Sequence, residues 1–290
     1  VMNTGGLGWG GIFRLGLVQT ALGSIVVLTT ATINRVMVVE LALAAMLPGA
    51  LVGLHYGVQF MRPRFGHGSD LGGYRSPWIM GGMAVLAIGG ISAALATAWM
   101  ETNLAAGIVL ATLAFVLVGL GVGASGTTLL ALLAKLVVPK RRAAAATMVW
   151  LMMIAGFAIT AGTAGYFLDP FSSARLITIT IVVCLTALAL TTVAIYGVER
   201  SNQPVMPAAQ KKPQHEDSFW PAMQQVWSEP AARHFTIFVF VSMLAYSAQD
   251  LILEPFAGHV FDLTPGQSTQ LSGVHSSGLL LGMLLVAILG

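Results

Sequence analysis

The sequence predicts an all-α membrane protein that crosses the bilayer several times. Of its 290 residues, 56% are hydrophobic and only 9% are charged, whereas about 25% of the residues of an ordinary soluble domain are charged. The mean hydropathy of +0.83 comes from apolar runs along the whole chain. Because lipid offers the backbone no hydrogen-bonding partner, these runs must be helical, and a soluble globular domain is excluded.

Charged residues divide the chain into apolar runs of about 20 residues, the length that crosses the hydrocarbon core as a helix. The fourth run is too long for an upright helix, so we expect it to tilt or to project Lys135 into water. Eight spans are predicted, near residues 15–34, 41–61, 77–98, 104–134, 144–167, 175–197, 234–256 and 268–290.

The basic residues predict how the chain is oriented. If the spans alternate in direction, only Arg35 and Arg175 fall on one side of the membrane. By the positive-inside rule the other side is cytoplasmic, and the N-terminus lies there. The net charge of +3 therefore reflects topology, and no nucleic-acid partner is predicted. The residues on the cytoplasmic side are Arg14, Arg62, Arg64, Arg75, Lys135, Lys140, Arg141, Arg142, Arg200, Lys211, Lys212 and Arg233.

A polar, proline-containing stretch at residues 199–233 divides the chain into two parts. It predicts a cytoplasmic linker between a six-helix N-terminal half, residues 1–198, and the start of a C-terminal half, residues 234–290. Within the linker, residues 219–227 could form a helix on the membrane surface or remain a disordered connector. If the halves are equal, four further spans are expected after residue 290.

Ionisable groups at membrane depth cost roughly 2.5 to 3.5 kcal/mol each and therefore need a reason. Arg35 and Glu40 stand at the outer end of the first hairpin, where they either pair or remain solvated in a loop. In the seventh span, Asp250 and Glu254 lie one helical turn apart and would repel each other unless one is protonated or a cation faces them. The predicted intramembrane polar site comprises Asn34, Arg35, Glu40, Gln249, Asp250 and Glu254.

Three histidines are candidates for binding a pigment. His55 and His275 lie in the second and eighth spans, and His259 follows Pro255 closely. A membrane histidine can hydrogen-bond a neighbouring helix, relay a proton or ligate the magnesium of a chlorin. No catalytic triad or zinc-binding spacing is present, and Cys184 is the only cysteine. Neither enzyme chemistry nor a direct metal site is predicted, and magnesium would enter only with a pigment.

The segment between the second and third spans has the spacing Gly-x-x-x-Asp-x-x-Gly-x-Arg at Gly66, Asp70, Gly73 and Arg75. Glycines permit a tight turn there, Asp70 can cap or pair with a helix end, and Arg75 supplies a cation. The spacing resembles the signature loop of the major facilitator superfamily. The resemblance implies that superfamily's fold, with eight of a probable twelve transmembrane helices in this chain.

Four segments carry a closer resemblance: residues 31–41, 46–50, 67–77 and 248–256. They resemble the bacteriochlorophyll-delivery branch of the superfamily, the PucC and LhaA light-harvesting assembly proteins of purple bacteria. The resemblance implies a multi-pass protein of the inner, intracytoplasmic membrane that handles bacteriochlorophyll and, as a further pigment, carotenoid. Implied partners are the light-harvesting α and β polypeptides and the reaction-centre core complex.

Two other functions remain open on the residues alone. A proton-coupled secondary transporter of a small molecule would use Asp250 and Glu254 as coupling groups. A packing scaffold that adopted the transporter fold would use the same carboxylates only as structural hydrogen-bonding groups.

Overall fold

The structure, a computed structural model, describes residues 6–71, 73–201, 224 and 227–289. The regular elements in this part of the chain are helices, and no strand occurs among them. Seven of these helices are long and apolar enough to cross a membrane. The prediction of a multi-pass helical membrane protein is therefore confirmed.

The helices follow one another with short connections. α1 is one continuous helix in which two π-helical turns, Leu28–Thr32 and Val36–Glu40, flank Asn34 and Arg35. The bounds are α1 Trp9–Glu40, α2 Met46–Val58, α3 Arg62–Leu71, α4 Ser76–Met100, α5 Leu104–Leu136, α6 Arg142–Leu168, α7 Ser173–Ile195, α8 Val198–Ser201, α9 Pro230–Phe261 and α10 Pro265–Leu289.

Seven candidate spans occur in the described residues where eight were predicted, and the difference lies at the second span, predicted at residues 41–61. Residues 41–45 lie outside any helix, and α2 begins only at Met46. A 3-10 turn, Gln59–Met61, then connects α2 to α3, which runs to Leu71. The helical segment formed by α2, this turn and α3 is therefore long. It is not apolar enough to count as a candidate span, because it contains His55, Gln59 and Arg62.

The outer end of the first hairpin also differs from the expected loop. α1 continues through Glu40, so Arg35 and Glu40 belong to a helix. The alternative of two solvated charges is wrong for Arg35, whose exposed fraction is 1%.

The signature segment is more helical than the predicted turn. Gly66 and Asp70 both lie in α3. The chain reverses only after Leu71, and Gly73 adopts φ +76°, a left-handed conformation that glycine accepts without steric cost. Gly66 and Asp70 therefore belong to a helix, and the left-handed glycine follows it at position 73. The side chain of Asp70, and most of the predicted linker and surface helix, lie outside what the structure describes.

Helices α1, α2 and α4 to α7 pack around two clusters of buried apolar residues. α1 lies against α6 and α7, α4 lies against α5 and α7, and the α2–α3 path follows α5. Gly119 and Gly123 of α5 face this path, where a Cβ on Gly119 would lie 2.6 Å from the carbonyl oxygen of His55. Small residues therefore bring these helices into close contact, as expected in lipid.

Two charged residues connect the ends of helices among α1 to α8. The Arg14 guanidinium donates to the carbonyl oxygens of Ala194 at 3.0 Å and Val193 at 3.1 Å, and so caps the C-terminus of α7. Glu199, 1% exposed, accepts the backbone N–H of Arg75 and of Ser76 and thereby caps the N-terminus of α4. Asp70 was predicted to cap or pair with a helix end, whereas a role for Glu199 was not predicted.

The contact between α4 and α5 gives a matched pair of variants. A Cβ on Gly82 would lie 2.5 Å from the backbone nitrogen of Ser125, whereas a Cβ on neighbouring Gly81 would meet nothing within 4 Å. We expect Gly82→Leu to lower the free energy of unfolding by at least about 1–3 kcal/mol, the usual cost of overpacking. Gly81→Leu should remain near wild type. Thermal unfolding of the full-length protein in detergent measures both, and equal effects would contradict this packing.

Candidate functional site

The predicted polar residues converge where α1 meets α9 and α10. Arg35 projects from α1 and donates one N–H to Glu40 and another, at 2.6 Å, to the carbonyl oxygen of Leu263. Its guanidinium lies over Gly258 of α9, where an added Cβ would come within 3.1 Å of Nη2. A larger residue at position 258 would displace the cation, so the glycine makes room for it.

Asn34 donates a hydrogen bond to the backbone carbonyl of Leu251, which lacks its usual helical partner because of Pro255. In α9 the carbonyl of Leu251 would normally accept the N–H of the residue four positions later, but that residue is Pro255, which has no N–H. Asn34 Nδ2 donates to this carbonyl at 2.8 Å. A polar side chain of α1 therefore repairs a break in α9, and the two helices become joined.

Glu254 is completely buried between the same helices, with an exposed fraction of 0%. Ser272 Oγ donates to Oε1 at 2.7 Å, and Thr269 Oγ1 lies 3.4 Å from Oε2. Thr269 in turn hydrogen-bonds Thr32 of α1 at 3.2 Å. The carboxyl thus links α9, α10 and α1 through hydroxyl groups.

Asp250 lies in different surroundings although it is one turn from Glu254. Its side chain is 48% exposed, and Oδ1 lies 4.0 Å from His275 Nε2. The predicted pair of carboxylates is therefore divided between an open and a closed environment. Gln249 is also exposed.

His275 lines a groove of about 1030 Å³ between α6 and α10, called here the α6–α10 groove. At one end the two helices touch through small residues, since a Cβ on Gly165 would lie 2.6 Å from the Gly266 carbonyl oxygen. Farther along, Gly278 and Gly282 face open space and the helices separate. The other walls are mainly apolar, formed by residues such as Met148, Leu151, Leu279 and Met283.

The three candidate histidines do not come together. His55 is 1% exposed, and its Nε2 lies 3.0 Å from Gln59 Nε2. His275 is 26% exposed, and its Nε2 is buried without a hydrogen-bond partner. His259 is exposed on α9. Across the described residues no group of three His, Cys, Asp or Glu side chains could hold a metal ion.

Asp169 is a further polar residue at this interface that the sequence analysis did not identify. Its carboxylate accepts Thr264 Oγ1 at 2.6 Å and the backbone N–H of Gly266 at 3.2 Å, and so caps the N-terminus of α10. A Phe-Leu-Asp-Pro sequence at the end of a span reads as an ordinary loop. Only the fold brings it to a helix that begins 96 residues later, at Pro265.

The fold and this interface define a multi-pass helical membrane protein with a buried polar joint between its first helix and its last two described helices. The family model for PUCC protein matches residues 32–289, and the chain belongs to this family. The match confirms the family predicted from the sequence.

Three relatives illustrate the family. The chain is 52% identical over 285 residues to a Rhodobacter capsulatus protein named "Bacteriochlorophyll synthase 44.5 kDa chain", with 97% of this chain and 65% of that protein covered. It is 29% identical over 294 residues to Protein PucC of Cereibacter sphaeroides, with 95% of this chain and 62% of that protein covered. It is 28% identical over 289 residues to Protein PucC of Rhodovulum sulfidophilum, with 93% of this chain and 62% of that protein covered. The chain thus spans less than two thirds of the length of these relatives.

The bond between Asn34 and Leu251 can be tested with a double-mutant cycle. Asn34→Leu leaves a buried carbonyl unpaired, which should lower the free energy of unfolding by about 1–3 kcal/mol. In a Pro255→Ala background, residue 255 has an N–H for that carbonyl, so the same change should cost clearly less. Detergent or thermal unfolding of the four full-length proteins measures the cycle. An equal cost in both backgrounds would show that Asn34 does not replace the missing helical bond.

Proposed function

We propose that this chain belongs to a membrane assembly factor for purple-bacterial light-harvesting complexes that binds bacteriochlorophyll and delivers it to antenna polypeptides. The observation that carries the proposal is the match to the PUCC family over residues 32–289, together with a 52% identical relative named as a bacteriochlorophyll synthase chain. In this proposal the pigment is cargo that is handed on unchanged, and the protein is not an enzyme.

The α6–α10 groove supports the proposal by its size and chemistry. Ligand sites usually measure about 300–1000 Å³ and are mainly apolar with a few polar groups. The groove, at about 1030 Å³, is large enough for the apolar tail and part of the ring of a chlorin. Its wall includes His275, whose Nε2 forms no hydrogen bond and lies 4.0 Å from Asp250 Oδ1. Imidazole nitrogen is a suitable axial ligand for the magnesium that a bacteriochlorophyll brings.

The other candidates fit less directly. His55 Nε2 already lies against Gln59, so it would have to give up this neighbour to bind a magnesium ion. His259 is exposed on α9 but does not line the α6–α10 groove. We therefore rank His275 first, with His259 and His55 after it.

The exposed face of α9 supports a partner within the membrane. Large apolar side chains cover it, and in lipid such a face packs against another helix through shape rather than through the hydrophobic effect. We propose light-harvesting α and β polypeptides as partners, with the reaction-centre core complex and carotenoid as further components. The membrane is the intracytoplasmic one, with the N-terminus in the cytoplasm. The exposed residues include Phe235, Phe238, Phe240, Leu244 and Ile252.

The test is to purify the full-length protein from a photosynthetic host. It should show near-infrared absorbance and co-purify with antenna polypeptides, and His275→Leu should reduce bound pigment severalfold without lowering protein abundance. His259→Leu and His55→Leu, in the same host, rank the remaining candidates. Colourless protein without antenna partners would overturn the proposal.

A proton-coupled transporter is the second candidate, and the burial of Glu254 at a helix interface favours it. In that case, uptake of a small molecule into liposomes should follow a pH gradient and fail in Glu254→Gln. Absence of coupled uptake, combined with pigment in the purified protein, would leave the assembly factor as the function.

A further inference from the structure

The carboxyl group of Glu254 has hydrogen-bond donors but no counter-charge. Its exposed fraction is 0%, its partners are the hydroxyls of Ser272 and Thr269, and it forms no ion pair within the described part of the chain. Burying an ionised carboxylate without a paired cation is costly, and a buried group usually becomes neutral instead. These surroundings are those of a carboxylic acid rather than a carboxylate.

The charges around Glu254 lead to the same conclusion. The cation that acts on Glu254 is Arg35, which is already paired with Glu40 on α1. Asp250, on α9, adds a second negative charge one turn away, and on α10 the titratable group on that side is His275, which lies beside Asp250. Arg35 and Glu40 sum to zero, so an ionised Glu254 would leave the buried cluster with a net negative charge.

We propose that Glu254 is a proton-binding site and that its bound proton allows α9 and α10 to close against α1. With the proton on Oε2, the carboxyl O–H donates to Thr269 Oγ1, and Thr269 then donates to Thr32 of α1. Ser272 continues to donate to Oε1. The hydroxyls of Ser272, Thr269 and Thr32 each have a partner when the carboxyl is neutral. The hydrogen bonds thus run from α9 and α10 to α1.

Release of the proton would change the partner of Arg35. The guanidinium lies over Gly258, which is four residues, about 6 Å, along α9 from Glu254. Its Nε is buried without a hydrogen-bond acceptor. When the proton passes to water, the new carboxylate attracts Arg35, and the side chain of Glu40 is already 33% exposed. The joint would then exchange one ion pair for another, and Thr269 would donate its hydroxyl proton to the carboxylate instead of accepting one from the carboxyl group.

Infrared spectroscopy of the full-length protein tests for the bound proton. Near neutral pH, wild type should show the C=O stretching band of a buried protonated carboxylic acid, and Glu254→Gln should lose it. Asp250→Asn is the matched control, since it removes the neighbouring but half-exposed carboxyl and should leave the band. Ser272→Ala removes one hydrogen bond to the carbonyl oxygen and should shift the band without abolishing it.

The same proteins test the role of the proton in closure. Because the closed structure binds a proton that the unfolded chain has lost at the same pH, wild-type stability should fall as the pH is raised. Glu254→Gln cannot ionise and should lack this fall. If Glu254→Gln does not fold, Glu254→Asp keeps an acid whose band should move rather than vanish.

Two results would overturn the proposal. The first is a wild-type protein without the protonated-acid band at neutral pH, or a band that is lost in Asp250→Asn instead of Glu254→Gln. The second is a stability that falls by the same amount in wild type and in Glu254→Gln when the pH is raised. Neither readout depends on pigment.

Discussion

Burial of the Arg35 guanidinium within a membrane-spanning helix is the constraint on which the rest of the interface depends. The side chain is 1% exposed and must find its hydrogen-bond partners inside the protein. Glu40 supplies the counter-charge from the same helix, and the carbonyl oxygen of Leu263 supplies an acceptor beyond the end of α9. The cation therefore cannot be accommodated by α1 alone, and it requires the end of α9 at this place.

The sequence of α9 is adapted to this cation and to its neighbours on α1. Gly258 leaves space for the guanidinium, and Pro255 exposes a carbonyl that Asn34 occupies. The carboxyl group of Glu254 hydrogen-bonds Thr269 of α10, and Thr269 hydrogen-bonds Thr32 of α1. Three features that are each unfavourable in an isolated membrane helix are thus satisfied together. Their compensation explains why α9, which is otherwise exposed, is held at its C-terminal part.

Much of the helical plan could be predicted from apolar runs and charged boundaries, because these reflect transfer into lipid. The third to eighth runs agree with the observed helices to within a few residues. The first and second runs were harder to place because Arg35, Glu40, His55 and Arg62 resemble span boundaries. In the folded protein, contacts with other helices allow charged residues such as Arg35 to lie within a helix where hydropathy alone predicts its end.

The polar site could be predicted as a set of residues but not as an arrangement. Asn34, Arg35 and Glu254 were recognisable because the bilayer disfavours such groups. Their partners were not, since backbone carbonyls and hydroxyls carry no sequence signal, and Asp169 and Glu199 act on helices distant in the chain. Whether two carboxylates one turn apart share an environment also depends on the neighbouring helices, as Asp250 and Glu254 show.

The most direct measurement of the central claim is the unfolding free energy of Arg35 and Glu40 variants in the full-length protein. Glu40→Ala removes the ion-pair partner of the buried guanidinium. Because Glu40 is 33% exposed, the cost should lie below that of a fully buried pair, about 3–5 kcal/mol. Arg35→Met combined with Glu40→Ala removes both charges and should cost less than Glu40→Ala alone. A double variant that is less stable than Glu40→Ala, with costs that simply add, would contradict the account.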